Sequence, residues 1–214
     1  MSFFENTRKP VGLGGKIMVA MMNLGHSPVA RWGLRFLELT PDAKVLDCGC
    51  GGGANIKRLL KKCPEGIVKG IDYSPVSVEK SKKVNEAAVT KGRCTVLRAS
   101  VAELPFESEQ FNAVTAFETV YFWPDLPQCF REIWRVLKDD GVLIAPTFTH
   151  AGNSFSGKVR AFFMKRVGFP LHSKWTSEEY LSFLRQNGWA VRKSVILKAS
   201  FPLTYAECTK SEVR

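Results

Sequence analysis

From residue 44 onward, short apolar runs alternate with amphipathic stretches. KVLDC (44–48), IVKGIDYS (67–74), CTVLRAS (94–100), FNAVTAFE (111–118) and GVLIAPTF (141–148) are bounded by glycines or turn residues. They predict buried strands, because a short apolar run between turn signals is too brief for a core helix. Between them, ANIKRLLKKC (54–63), SPVSVEKSKKVNEAAVTKG (74–92) and LPQCFREIWRVLKDDG (126–141) carry apolar residues at helical spacing. In the last of these, Phe130, Ile133, Trp134 and Leu137 fall on one face. Ser74 stands where a helix N-cap belongs, with proline next, and Gly92 lies past the end of that helix. Residues 176–188 open with Thr176 and Glu179, the spacing of a capping box. WAVRKSVILK (189–198) and FPLTYAEC (201–208) predict two closing strands that pair. Residues 15–40 have helical spacing, interrupted at Gly25, with Ser27 as a second N-cap and Pro28 at the first helical position.

Strand–helix alternation of this kind predicts an α/β domain with a doubly wound, mostly parallel sheet. In such sheets ligands bind beyond the carboxyl ends of the strands. The first strand–helix turn is Val45 to Asn55, VLDCGCGGGAN, and it concentrates the glycines.

Composition narrows the reading. The 214 residues fit one domain with a small cap, and they carry 31 Lys and Arg against 20 Asp and Glu, a net charge of +11. The positives are dispersed, which suits a solvated surface better than nucleic-acid binding. The N-terminus carries no secretory pattern and no apolar run reaches membrane length, so a cytoplasmic location is expected. The six cysteines are scattered without a C-x-x-C pair, which disfavours both a disulfide framework and a metal site.

Two cofactor classes fit the glycine turn. Residues 49–54 satisfy the dinucleotide template G-x-G-x-x-[GA], and Asp72 lies where a ribose-binding acid belongs. That leaves a nicotinamide oxidoreductase as a rival. Asp47, immediately before the turn, argues against it, because a carboxylate a few ångströms from a pyrophosphate is repelled by about 1–4 kcal/mol. The same carboxylate favours S-adenosylmethionine (SAM), which has an ammonium, a sulfonium and no phosphate. Asp72 would then accept from the ribose hydroxyls, a task suited to an acceptor-only group.

VLDCGCGGG, GIDYSPVSVEKSK, ASVAELPFESEQFNAVTAFETVYFWPD and EIWRVLKDDGVLI, in this order, resemble the class I SAM-dependent methyltransferases, in particular their ubiquinone/menaquinone-methyltransferase-like type 11 group. The resemblance covers roughly residues 44–147. It implies a Rossmann-like, seven-stranded, mostly parallel sheet with helices on both faces. It further implies an N-terminal helical lid over residues 1–40 and a methyltransferase domain over 41–214, with a cap insertion at about 148–175.

The resemblance also assigns residues. Asp47, Gly49, Cys50 and Gly51 would contact the methionine moiety, Asp72 the ribose, and Tyr73 the adenine. Ser100 stands where the family usually has an aspartate near the adenine amino group, and Val101 would offer its backbone N–H to an adenine nitrogen. Asn112 replaces a family aspartate, a change expected to touch local structure. Phe117, Glu118 and Tyr121 follow the fourth strand, close to the transferred methyl, where an aromatic cluster serves either as core or as pocket wall. His26 is a candidate general base or a structural turn histidine. His150 and His172 fall in the cap, whose mixed basic and aromatic residues suit a plain helix or a weak contact with a membrane surface. The expected reaction is methyl transfer to a small-molecule acceptor, without a metal. The alternatives are a NAD-dependent enzyme, a SAM-binding protein without catalysis, and, more remotely, an RNA or protein methyltransferase.

Overall fold

A computed structural model describes residues 27–149, 175–197 and 202–211. The chain begins there with α1 (Ser27–Leu34), followed by β1 (Lys44–Cys48), α2 (Ala54–Lys62) and β2 (Ile67–Asp72). Next come α3 (Pro75–Val84), α4 (Glu86–Thr90), β3 (Cys94–Arg98), β4 (Phe111–Thr115) and a 3₁₀ turn at Val120–Phe122. The remainder is α5 (Leu126–Val136), β5 (Leu137–Ile144), β6 (Thr147–Phe148), α6 (Ser177–Gln186), β7 (Trp189–Leu197) and β8 (Leu203–Lys210).

The strands form a single sheet in the order β3-β2-β1-β4-β5-β8-β6, with β7 on the other edge of β8. β3, β2, β1, β4 and β5 are mutually parallel. β8 runs antiparallel to β5, β6 and β7. β5 and β6 pair with successive stretches of β8, at Leu143↔Cys208 and Thr147↔Thr204, so they occupy one lane interrupted at Ala145 and Pro146. Proline supplies no ladder donor, which accounts for the break. The eight strands therefore occupy seven lanes, in agreement with the expected doubly wound sheet.

Each face of the sheet carries its own core. Ala30, Leu34, Ile56, Leu59 and Val78 bring α1, α2 and α3 onto one face, against Val45, Val68 and Val96. Phe130, Ile133, Val136, Tyr180 and Leu184 bring α5 and α6 onto the other, against Leu46, Val114 and Leu143. Burying each such side chain contributes about 1.5–3 kcal/mol. Ser74 caps α3 by accepting from the Ser77 N–H at 3.3 Å, and Thr176 and Glu179 form the reciprocal capping box of α6.

Several boundaries depart from expectation, among them the end of α1 at Leu34, short of the helical spacing that runs to residue 40. The helix predicted to run up to Gly92 breaks at Asn85, whose side-chain amide donates to Gly53 O (3.0 Å) and Ser81 O (2.9 Å). The helix predicted to residue 141 ends at Val136, because Leu137 turns extended, is fully buried and pairs with Phe111. β4 ends at Thr115 and not at residue 118. His26, His150, His172, most of the expected lid and almost all of the expected cap lie outside the described residues.

Candidate active site

The carboxyl ends of β1, β2 and β4 converge on the glycine turn, and each delivers a polar residue there. β1 delivers Asp47, which is 1% exposed. Its Oδ1 accepts from the Thr115 hydroxyl at 2.7 Å, while its buried Oδ2 has no donor among the described residues. Asp47 and Thr115 are register partners on adjacent parallel strands, so the contact follows from strand alignment. Burial raises the Asp47 carboxyl to about 7, against the opposing effects of the Thr115 hydroxyl and the Arg58 charge. An orphaned buried carboxylate oxygen costs free energy until a donor reaches it.

β2 delivers Asp72. Its Oδ2 accepts from the Gly51 N–H (2.9 Å) and its Oδ1 from the Ser74 N–H (2.8 Å). The Ser77 side chain hydrogen-bonds the same carboxylate, which still leaves acceptor capacity for a ligand hydroxyl. Burial holds this carboxyl above its usual range despite those bonds.

The turn itself bends through three left-handed glycines, Gly49 (φ 73°), Gly51 (φ 50°) and Gly53 (φ 80°). Their surroundings differ. A Cβ at Gly49 would stand 2.5 Å from Thr119 Cγ2, and one at Gly53 would stand 2.5 Å from Ser81 Oγ. At Gly51 a Cβ would meet nothing within 4 Å. Gly49 and Gly53 are thus required by packing, whereas Gly51 faces open space beside Asp72. Cys50 buries its side chain, with Sγ 3.9 Å from Ser81 Oγ, so this residue serves the turn through its backbone. Burial pushes the Cys48 and Cys50 thiols far up, which keeps both neutral.

The segment after β4 docks onto this turn. Thr119 donates its hydroxyl to Cys48 O at 3.1 Å. Glu118 is buried and adopts φ 56°, a left-handed conformation that costs a non-glycine residue about 1–2 kcal/mol. Its N–H donates to Pro146 O at 3.0 Å, at the break between β5 and β6. Such strain persists where the surroundings over-determine it, often at functional sites. Tyr121 is buried, its ring 4.5 Å from that of Phe122, and burial raises its phenol well above the usual range. Phe117 packs against Gly33 of α1, within the core on that face. Trp123 packs 5.5 Å from Phe130 on the opposite face. The aromatic cluster is thereby divided between the two cores, which gives the packing account of it a large share.

Tyr73 is 54% exposed, with the Arg98 guanidinium 5.8 Å from its ring. Ser100 accepts on Oγ from the Ala102 N–H at 3.2 Å and bridges to Glu103. Val101 is buried beside it. Glu132 of α5 accepts from the Leu104 N–H (2.8 Å), and Arg135 donates to Leu104 O (3.1 Å) and Phe106 O (2.8 Å). This pair clamps the connection that carries Ser100 and Val101. Asn112 Oδ1 accepts from the Lys44 N–H at 3.0 Å, a purely local role. The described residues therefore bring together Asp47, Gly49, Cys50, Gly51 and Asp72. Thr115 and Thr119 join that group without having been singled out in the sequence. Thr115 was findable only through the pairing of β1 with β4.

Among the described residues no helix is long and apolar enough to cross a membrane. The fit to a cationic, phosphate-free ligand is direct: a buried carboxyl group with an unfilled acceptor, an open glycine approach and a second carboxylate one strand over.

Comparison with known proteins agrees with this geometry. Residues 46–145 match the family profile described as "Methyltransferase domain", of type 11. Over 102 residues the chain is 33% identical to cycloartenol-C-24-methyltransferase 1 of Oryza sativa subsp. japonica, a match covering 48% of this chain and 29% of that protein. The MccD protein superposes with a TM-score of 0.75 at 15% identity, covering 87% of this chain and 98% of the other. Geranyl diphosphate C-methyltransferase from Streptomyces coelicolor A3(2), solved with S-adenosyl-L-homocysteine (SAH), superposes with a TM-score of 0.71 at 16% identity, covering 86% and 76% of the two chains.

Proposed function

We propose that this protein is a class I SAM-dependent enzyme that methylates a small-molecule acceptor, a reading supported by the match of residues 46–145 to the methyltransferase-domain family. When bound, SAM supplies a methyl group already activated on a sulfonium, which an acceptor takes by in-line displacement. The remaining work falls to the chain's own residues, and it consists of binding, alignment and exclusion of water.

The observation that carries this reading is the unfilled, buried Asp47 Oδ2 at the head of a left-handed glycine turn. Asp47 would hold the ammonium, directly or through a water. Gly49, Cys50 and Gly51 would offer backbone to the methionine arm. Asp72, already fixed by two backbone N–H groups, would accept from the ribose hydroxyls. Tyr73, Ser100 and Val101 would border the adenine, and Phe117 would back the site from the α1 side. A pyrophosphate-bearing cofactor is disfavoured, since it would bring further negative charge to two carboxylates.

On the acceptor side we assign Glu118 and Tyr121, which leave β4 on the loop that Thr119 docks to the turn. The Tyr121 phenol stays protonated at neutral pH, so it suits hydrogen-bond donation and not proton abstraction. A general-base role is assigned to His26 on sequence grounds alone. The acceptor itself is specified only as a small molecule. The match to the Oryza sativa enzyme spans 102 residues and 29% of that protein, and acceptor choice is expected of the segments that flank the cofactor turn.

Titration calorimetry with SAH and with NAD tests the assignment. Binding of SAH without NAD is expected, followed by transfer of labelled methyl in an acceptor screen. Binding of NAD without SAH overturns it. Tight SAH binding with no product across a broad screen would favour a SAM-binding protein without catalysis.

A further inference from the structure

We infer that Thr115 is the positioning residue that presents Asp47 to the cofactor's ammonium, and that filling this site releases a proton from Asp47. The inference rests on the proposed function, since it requires the ligand to bring a cation to the turn.

The Thr115 hydroxyl has one proton and two acceptors in reach, Asp47 Oδ1 at 2.7 Å and Leu46 O at 3.5 Å. The shorter contact goes to the carboxylate, so Oδ1 is already engaged. This has two consequences. The carboxyl group is fixed about its terminal torsion, which otherwise has a broad, roughly two-fold profile. With the Thr115 hydroxyl donating to Oδ1, a proton on Asp47 resides on Oδ2, the oxygen with no donor among the described residues. The incoming cation and that proton therefore compete for the same atom. When the ammonium engages Oδ2, the proton leaves to solvent.

The groups around Asp47 support ionisation on binding but not before it. Asp72 at the end of β2 opposes the second negative charge, and Arg58 of α2 favours it. Cys48 on β1 and Cys50 in the turn are held neutral by burial. β4 supplies only the uncharged Thr115. Desolvation dominates, so the empty site keeps its carboxyl part-protonated around neutral pH, where an exposed aspartate is fully ionised.

The test is titration calorimetry of SAH against the full chain between pH 6 and pH 8, repeated in buffers of different ionisation enthalpy to count protons. Four proteins are compared: wild type, Thr115→Val, Thr115→Ser and Asp47→Asn. For wild type, affinity should fall about tenfold from pH 8 to pH 6, with proton release approaching one at the acid end. Thr115→Val, a near-isostere, removes the bond that favours the carboxylate, so the midpoint should move up by about one pH unit or more. Thr115→Ser should restore the wild-type profile. Asp47→Asn should bind weakly and without this pH dependence. The count in wild type stands even if Thr115→Val fails to fold. A pH-independent wild-type affinity, a Thr115→Val profile equal to wild type, or linkage that persists in Asp47→Asn and so belongs to another group such as Asp72 or a histidine, would each overturn the inference. No SAH binding at any pH would instead refute the proposed function.

Discussion

Gly51 donates its backbone N–H to Asp72 Oδ2 across 2.9 Å, tying the open glycine of the first turn to the end of the second strand. The same carboxylate accepts from Ser74 N at the start of α3. One side chain thus fixes two loops on which a ligand would rest. Asp72→Ala should lower folding stability by about 2–3 kcal/mol and weaken SAH binding by about 10- to 100-fold. Asp72→Asn retains one acceptor oxygen and should fall between. Thermal denaturation and calorimetry on the same samples would check both.

The three left-handed glycines should respond differently to alanine. At Gly51 the added methyl group enters open space, so Gly51→Ala should cost only about 1 kcal/mol of stability, from its backbone conformation, while blocking the cofactor. At Gly53 a Cβ would also stand 2.8 Å from Ser81 Cα, which is backbone and cannot swing aside. Gly53→Ala should therefore destabilise by about 2–4 kcal/mol. Comparing melting midpoints with SAH affinities separates the ligand-facing glycine from the structural one.

Asp47 should make the ligand-free protein less stable as pH rises. Its folded-state carboxyl is raised to about 7, whereas an unfolded aspartate titrates near 4. Stability from the neutral form is fully present below about pH 4, declines through the interval to about 7, and is flat above it. The loss is on the order of 3–4 kcal/mol. Asp72, raised in the same direction, adds to it. Subtracting the melting profile of Asp47→Asn from that of wild type isolates the Asp47 contribution. The asparagine variant should be relatively more stable at pH 8 yet poorer at binding SAH.

Arg135 and Glu132 hold the connection between β3 and β4 by three bonds to its backbone. Arg135→Met should lower the melting midpoint by about 2–6 °C, because it takes the side-chain donor from Phe106 O and leaves Leu104 O only the Phe106 N–H. It should also weaken SAH less than Asp72→Ala does, since it acts on the adenine border only through Ser100 and Val101. Paired melts and titrations would show whether the two effects separate in this way.

Much of this was legible because local chemistry and global fold agree. The glycine turn, the Ser74 cap and the Thr176–Glu179 box are short-range devices, and each appears where its residues predict. The β7–β8 pairing likewise follows from two strand patterns near each other in sequence. Thr115 was not legible. It lies 68 residues from Asp47, and only the adjacency of β1 and β4 brings the pair together. The break at Asn85 escaped for a similar reason, since its cause is the carbonyl of Gly53, 32 residues away. At Leu137, helical spacing continued past the true end because tertiary pairing with Phe111 overrode it. Ser100 was read as a substitute acceptor for the adenine, yet its hydroxyl is partly engaged in its own turn.

The position of β8 bears on how the chain folds. Though it is the latest described strand in sequence, β8 lies between the β5–β6 lane and β7 and pairs with all three. Among the described strands, until residues 203–210 are synthesised, β5 has no partner on that edge and β7 has none. Sheet closure must therefore await the end of translation of this region, and a nascent chain stalled before residue 203 would expose strand edges prone to association. The order in which the ribosome delivers these strands differs from their order in the sheet, so the last of the described strands to be made is the one that locks its neighbours in place.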